Sequence, residues 1–215
     1  MALLPAADRR TKNRHTSHAA AVRRLAKVDP ILRRVMARVG PCHLAPRRHH
    51  FATLCDSIIS QQLSARVAEV IFAHFEALYP RRHPTPHRVA KTPLPRLRTA
   101  GLSRQKARYV KELAKGFVTG HIRPDRFARQ SNEEIIEALT SIHGIGRWTA
   151  EMFLMFSLNR LDVLPVDDLG IKKAVQRAYG LRSLPTARTI RAIGKPWHPY
   201  ETVACWYLWR SLRRE

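Results

Sequence analysis

The sequence is poor in acidic side chains. Only 16 of its 215 residues are Asp or Glu, against 39 Lys and Arg, so the formal net charge at pH 7 is +23. A polyanion-binding protein uses such an excess, because each phosphate that it neutralises releases condensed counterions. A solvated basic surface is the alternative interpretation. The composition favours a protein that binds nucleic acid.

Cysteines, long apolar runs and strand-like alternation are also scarce. The three cysteines are widely separated and form no Cys-x-x-Cys pair, which is typical of reduced thiols in a cytosolic protein. No apolar run is long enough to span a membrane, and the basic N-terminus has no apolar signal core. We therefore expect a cytoplasmic protein that is neither secreted nor membrane-bound. The apolar periodicity predicts an all-α chain of about ten short helices.

The stretch from Leu139 to Ala150 reads Leu-Thr-Ser-Ile-His-Gly-Ile-Gly-Arg-Trp-Thr-Ala. Ser131 and Glu134 form the capping-box pattern of a helix that precedes it. The two glycines allow a tight turn and a close approach to a ligand, and the next helix would present its N-terminal N–H groups to a phosphate. We predict a helix-hairpin-helix that binds a nucleic-acid backbone through His143, Gly144, Ile145, Gly146, Arg147 and Thr149.

Two adjacent acids, Asp167 and Asp168, follow an apolar approach and precede another predicted helix. One of them is expected to be the helix N-cap, a position that favours Asp. A carboxylate beside bound nucleic acid is repelled by phosphate, so an acidic residue at this position needs a functional explanation besides capping. Stabilising an oxocarbenium-like transition state at a sugar carbon would be such a reason.

Two apolar helices are predicted to meet at an amide-rich corner that contains Gln61, Gln62 and Leu63. These residues could form a probe that enters a duplex. The alternative is an amide pair that caps the neighbouring helix ends, and the residues alone leave both open.

Aromatic residues are concentrated in the last third of the chain. An extruded base needs aromatic faces to stack on, and a cationic alkylated purine would add a cation–π attraction. Some of these residues must belong to the core, and Trp209 and Tyr207 are the first candidates. The candidates for a base pocket are Trp148, Trp197, Tyr200 and Trp206.

Taken together, these motifs resemble the helix-hairpin-helix (HhH-GPD) DNA glycosylase superfamily. The hairpin is followed at family spacing by Pro-Val-Asp-Asp-Leu-Gly-Ile. The segments Ile-Ile-Ser-Gln-Gln-Leu-Ser and Lys-Pro-Trp-x-x-Tyr, with a later Trp-Tyr, are similar to the 3-methyladenine DNA glycosylase II (AlkA-type) branch. The resemblance extends from about Val28 to Arg210, which is nearly the whole chain.

The resemblance implies an all-α fold with two helical lobes. The basic segment 1–16 is expected to be a flexible arm, and residues 17–215 to form the glycosylase domain. The middle lobe would span about 50–160, and the other lobe would combine the N-terminal helices with about 161–215. The implied partner is double-stranded DNA with damaged bases, bound by a monomer.

The resemblance also implies roles for individual residues. Asp168 would be the catalytic carboxylate, and Gln62, with Leu63 beside it, would wedge into the gap left by a flipped nucleotide. Trp148 and Trp206 would line the pocket. A structural Na⁺ or K⁺ would be held at the hairpin by the backbone carbonyls of Thr140, Ile142 and Ile145.

The sequence departs from the family pattern at three places. Trp148 stands where bifunctional relatives carry a lysine, so no Schiff base is expected. No cysteine follows Cys205, so we expect no iron–sulfur cluster and no required cofactor. Met152 replaces a pocket tyrosine of the AlkA-type branch.

The implied function is monofunctional excision of alkylated purines. The alternatives are a bifunctional or oxidised-base glycosylase and a non-catalytic DNA-binding module.

Overall fold

The structure, a computed structural model, describes residues 18–47 and 49–212, so the expected N-terminal arm lies outside the described residues. Over these ranges the chain contains helices and no strand, which confirms the all-α prediction. In them, no helix is both long and apolar enough to cross a membrane. The α-helices of the described residues are α1 (Ala19–Val28), α2 (Pro30–Val39), α3 (His50–Ser60), α4 (Ala65–Ala77), α5 (Pro86–Lys91), α6 (Leu94–Thr99), α7 (Arg104–Val118), α8 (Asn132–Thr140), α9 (Arg147–Phe156), α10 (Leu169–Tyr179), α11 (Ala187–Gly194) and α12 (Glu201–Ser211).

The chain divides into two compact units. The first contains the described residues up to Pro46 and those from Leu154 onward, and the second is Arg47–Phe153. The resemblance implies a middle lobe at about 50–160. Helix α9 begins in the second unit and ends in the first.

Helix α12 forms the centre of the first unit. Every residue from Thr202 to Trp209 is buried, so this helix is enclosed on all sides instead of presenting one apolar stripe. Helices α1, α2 and α10 pack against it. The burial explains why the aromatic residues are concentrated near the C-terminus, because large rings fill the space between these helices.

The buried carboxylate of Asp29 joins three elements of the first unit. Its Oδ1 accepts hydrogen bonds from the backbone N–H groups of Ile31 (3.0 Å) and Leu32 (2.9 Å), which caps α2. Its Oδ2 accepts from the Tyr179 hydroxyl of α10 and from Trp197 Nε1 at 2.8 Å. Because buried donors are costly to leave unpaired, this carboxylate stabilises the position of α10 relative to α2.

The second unit is built around α3 and α7. Helix α3 packs against α4 and α7, and the short helices α5 and α6 pack on α7. The buried face of α7 carries small and aliphatic residues, while its other faces are polar. The sequence interpretation missed α6, since six residues are too few for a periodic pattern.

Candidate functional site

Asp168 is a buried carboxylate at the start of α10 in the first unit. It is only 4% exposed. Its Oδ1 accepts from the backbone N–H of Ile171 at 2.7 Å and from Trp209 Nε1 at 2.8 Å. Two donors on one oxygen restrict rotation of the carboxylate, and the N-terminal end of the helix favours its negative charge.

The structure assigns different positions to the two adjacent acids. Asp168 is the N-cap of α10, whereas the exposed Asp167 forms an ion pair with Lys172 at 3.3 Å. The candidate catalytic carboxylate is therefore also the residue that starts the helix. Asp167 is left at the surface, where an ion pair contributes little to stability.

Gly170 provides the space that Asp168 occupies. A Cβ atom on Gly170 would lie 2.9 Å from Asp168 Oδ1 and 3.0 Å from both Cδ1 and Nε1 of Trp209. The absence of a side chain at this position allows the carboxylate and the indole to lie against the first turn of α10.

The predicted hairpin joins α8 to α9 in the second unit. Helix α8 has the complete capping box of Ser131 and Glu134 and ends at Thr140. Gly144 has a φ of +86°, and a Cβ there would overlap the Tyr109 ring, so the protein itself requires this glycine. A Cβ on Gly146 would have nothing within 4 Å, so its surroundings are open to a ligand.

The hairpin side chains differ in what they can offer DNA. Ile145 and Thr149 are buried, so they present mainly backbone atoms. The Arg147 guanidinium binds both oxygens of Glu133, at 3.0 and 2.6 Å, and its Nε lies 3.2 Å from Glu151 Oε1. A direct contact between Arg147 and DNA stays a prediction, and in this structure its charge is already paired.

His143 is held by a carboxylate from α7. Its backbone N–H donates to Glu112 Oε1 at 3.2 Å, and its Nδ1 lies 2.9 Å from the same oxygen. Desolvation raises the pKa of the Glu112 carboxyl, but the hydrogen bonds from His143 outweigh it and leave the pKa below its usual value. An ionised carboxylate only accepts hydrogen bonds, so this contact assigns the proton to Nδ1.

The amide-rich corner lies between α3 and α4, also in the second unit. Gln61 Nε2 donates to the carbonyl of Gly144 at 2.7 Å, whereas Gln62 is exposed with a left-handed φ of +58°. Lys106 Nζ donates to the carbonyls of Ile59 and Gln61, both at 2.7 Å, and so caps the end of α3. Neither glutamine side chain caps a helix. Gln61 contacts the hairpin, Gln62 is exposed, and its insertion into a duplex stays a prediction. Leu63 is half-buried beside it.

The candidate pocket residues differ in how exposed they are. Trp148, in the second unit, is 41% exposed, and Tyr200 and Met152 are half-buried. Trp206 is buried, with the Arg210 guanidinium 5.2 Å from its ring centroid. The assignment of Trp197 to the pocket needs correction. Its ring is fully buried and donates to Asp29, so no face is available to a base.

Sequence reasoning missed two neighbours of Asp168. Trp209 was expected to be a core residue, which its burial agrees with, but its bond to Asp168 was not foreseen. Gly170 follows Asp168 by two residues, within the first turn of the next helix. That position could have indicated that the carboxylate needs space there.

The monovalent cation at the hairpin stays a prediction. Thr140 is the last residue of α8, and Ile142 and Ile145 lie in the turn that follows. The last carbonyls of a helix lack intrahelical partners, and hard cations prefer oxygen ligands. The Ile142 carbonyl accepts a hydrogen bond from the Ile145 N–H at 3.1 Å within the turn. Within residues 18–47 and 49–212, no group of three His, Cys, Asp or Glu side chains could hold a metal ion.

Comparison with protein families matches residues 55–199 to the HhH-GPD superfamily of base excision DNA repair proteins. The chain belongs to this superfamily. It is 35% identical over 194 residues to DNA-3-methyladenine glycosylase 1 of Schizosaccharomyces pombe, which covers 88% of this chain and 85% of the relative.

Solved structures agree with the family assignment. The S. pombe 3-methyladenine DNA glycosylase Mag1 in complex with abasic DNA superposes with a TM-score of 0.75 at 36% identity, covering 88% of this chain and 95% of that one. A DNA-3-methyladenine glycosidase of Bacillus halodurans superposes with a TM-score of 0.83 at 35% identity, covering 92% and 91%. The HhH-GPD fold thus extends over nearly the whole chain.

Proposed function

We propose that this HhH-GPD protein is a monofunctional DNA glycosylase that excises alkylated purines of the 3-methyladenine type by hydrolysing the N-glycosidic bond. The observation that carries the proposal is the buried carboxylate of Asp168, fixed by two hydrogen-bond donors in a strongly basic chain. Relatives that are 35–36% identical are named as 3-methyladenine DNA glycosylases, which supports the choice of substrate.

The main requirement of this reaction is a negative charge that the protein holds close to the sugar carbon. Departure of the base leaves positive charge on the sugar, and a preorganised carboxylate stabilises that charge in the transition state. Asp168 supplies this carboxylate. A water molecule then adds to the sugar cation and loses a proton, which completes the hydrolysis. An alkylated purine is already cationic and is a good leaving group, so little general-acid assistance is required.

The remaining residues bind and distort double-stranded DNA. The hairpin would hold phosphates through backbone N–H groups at the start of α9, where the helix dipole favours anions. Gln62 would fill the gap left by the flipped nucleotide, and Trp206 and Tyr200 would contact the base. A Na⁺ or K⁺ held by the carbonyls of the hairpin would add positive charge for a phosphate.

We further propose that the protein acts as a monomer and without strand cleavage. Trp148 has no amine, so it cannot form the Schiff base that β-elimination at the sugar would require. We place its activity in the cytoplasm on chromosomal DNA. The three cysteines, all within the described part of the chain, form no disulfide, and this supports a reducing compartment.

The decisive test is Asp168→Asn. The asparagine carbonyl can accept the same two hydrogen bonds as Oδ1, so the fold and DNA affinity should survive. We expect the single-turnover rate of base release from methylated duplex DNA to fall by at least about 10²–10³-fold, the usual cost of a lost electrostatic contact to the transition state. Asp167→Asn is the matched control, since it removes an exposed charge one residue away.

The outcomes separate the alternatives. Near-normal excision by Asp168→Asn would contradict the mechanism. Strand nicking without added alkali, or borohydride trapping on DNA, would identify a bifunctional enzyme. Duplex binding by the wild type with no base released from any methylated duplex would favour a non-catalytic binding module.

A further inference from the structure

Helix α7 contacts two separate segments proposed to engage DNA. We call residues 60–64 the wedge turn and residues 141–146 the hairpin turn. Near the start of α7, the Lys106 ammonium bonds to the carbonyls of Ile59 and Gln61, both at 2.7 Å. These carbonyls lie at the C-terminal end of α3, where a cation is favoured by the helix dipole. Lys106 therefore fixes the backbone that leads into the wedge turn.

The next two turns of α7 hold the hairpin turn. The Tyr109 ring lies where a side chain on Gly144 would be, and it stacks on the His143 imidazole with an interplanar angle of 16°. Glu112 accepts from both the backbone N–H and the ring Nδ1 of His143, at 3.2 and 2.9 Å. Steps of three residues follow one face of a helix, so a single side of α7 supports both turns.

The two turns are also joined directly. Gln61 Nε2 donates to the Gly144 carbonyl at 2.7 Å, a contact between residues 83 positions apart. Gln61 is thus occupied within the protein, and its neighbour Gln62 is the exposed member of the pair.

The conformation of Gln62 shows why such support is needed. Its φ of +58° is left-handed, a conformation that is unfavourable for a residue with a side chain. Such conformations persist where the surroundings determine them, and they occur often at functional sites. The residue before Gln62 is held by Lys106 through its carbonyl and by Gly144 through its amide. Ser64, two residues after it, caps α4.

We propose that α7 is a positioning helix that couples the hairpin turn to the wedge turn, so that holding the strand and displacing a nucleotide occur together. In this account Lys106 and Gln61 are positioning residues, and neither contacts DNA bases. The inference rests on the proposed function, in which Gln62 is the wedge.

The test uses Lys106→Met and Gln61→Ala in the full chain. Lys106→Arg is the conservative variant, and Lys91→Met removes an equal charge from an exposed position on α5. Four quantities are measured: the single-turnover rate of base release from methylated duplex, the fluorescence of a 2-aminopurine next to the target nucleotide, the affinity for undamaged duplex, and the melting temperature of each variant. The fluorescence reports unstacking whether or not a base is released.

We expect Lys106→Met and Gln61→Ala to lower both excision and the 2-aminopurine signal by about tenfold, since misplacement by 1 Å can cost about 10²-fold. Affinity for undamaged duplex should change less than about threefold, because phosphate contacts dominate it. Lys106→Arg should restore most of the signal, and Lys91→Met should match the wild type.

A double-mutant cycle with Gln62→Ala gives the sharpest result. If Lys106 acts by positioning Gln62, then Gln62→Ala should have a large effect in the wild type and a small one in Lys106→Met. Additive effects would overturn the inference, as would parallel losses of flipping, duplex affinity and melting temperature. If the wild type releases no base, the proposed function fails, while the fluorescence cycle still decides whether the turns are coupled.

Discussion

The most direct way to probe the candidate catalytic carboxylate is to move it without removing it. Gly170→Ala places a methyl group 2.9 Å from Asp168 Oδ1 and 3.0 Å from Trp209 Nε1. Ordinary carbon–oxygen contacts are longer by about half an ångström, so the carboxylate, the indole or both must shift. Both belong to one 2.8 Å hydrogen bond, and the methyl group presses on both of its ends.

The expected cost follows from the size of this displacement. Since misplacing a reacting group by 1 Å costs about 10²-fold, a shift of about half that distance should lower the excision rate about tenfold. Stability should change much less. Alanine is favoured over glycine in a helix by about 1 kcal/mol, which offsets part of the strain from the contact.

The assay is single-turnover base release with enzyme in excess over methylated duplex, together with thermal melting. Gln176→Ala on the same helix is the control for general changes in α10. An excision rate within twofold of the wild type, with an unchanged fold, would refute the claim that the position of Asp168 limits catalysis. If the loss of folded protein fully accounts for the fall in the excision rate, then Gly170 serves only packing.

The other predictions concern the hairpin turn. Gly144→Ala should destabilise the protein by at least about 1–2 kcal/mol, because its φ is positive and its methyl group would overlap Tyr109; Gly146→Ala should leave urea unfolding unchanged yet weaken duplex binding. Equal unfolding midpoints for the two variants would contradict this. Glu112→Gln should lower the melting temperature at neutral pH. The depressed pKa of Glu112 means that its contribution is present above the ordinary value of 4.5 and is lost as the pH falls through the lower folded value. The difference in melting temperature between the variant and the wild type should therefore disappear in acid, and a difference that persists there would exclude the carboxylate as its cause.

Local patterns in the sequence predicted local structure well. The Ser131 capping box, the turn at Gly144 and an aspartate N-cap at the start of α10 all depend on residues within a few positions of one another. Such features are determined by hydrogen bonds that the chain makes with itself over one or two turns. The all-α class followed from the spacing of the apolar residues along the sequence.

Contacts between distant residues were not predictable in this way. Trp209 lies 41 positions from Asp168, and Lys106 lies 45 positions from Gln61. The pocket prediction for Trp197 failed for the same reason, a contact with a residue distant in the sequence. Its residue type suits a base pocket, but its position beside Asp29 makes it a buried hydrogen-bond donor. The packing of the helices decides which aromatic residues are buried and which remain accessible. That packing cannot be read from a single sequence.

The proposed double role of Asp168, in catalysis and in capping α10, has an evolutionary consequence. The oxygen that caps α10 is one that asparagine also possesses, so a single nucleotide change could remove the negative charge while preserving the helix start. Selection for stability would not oppose that change. Proteins that retain this fold and its DNA affinity but have lost base excision are therefore a single substitution away, and asparagine is the residue to look for at this position in such descendants.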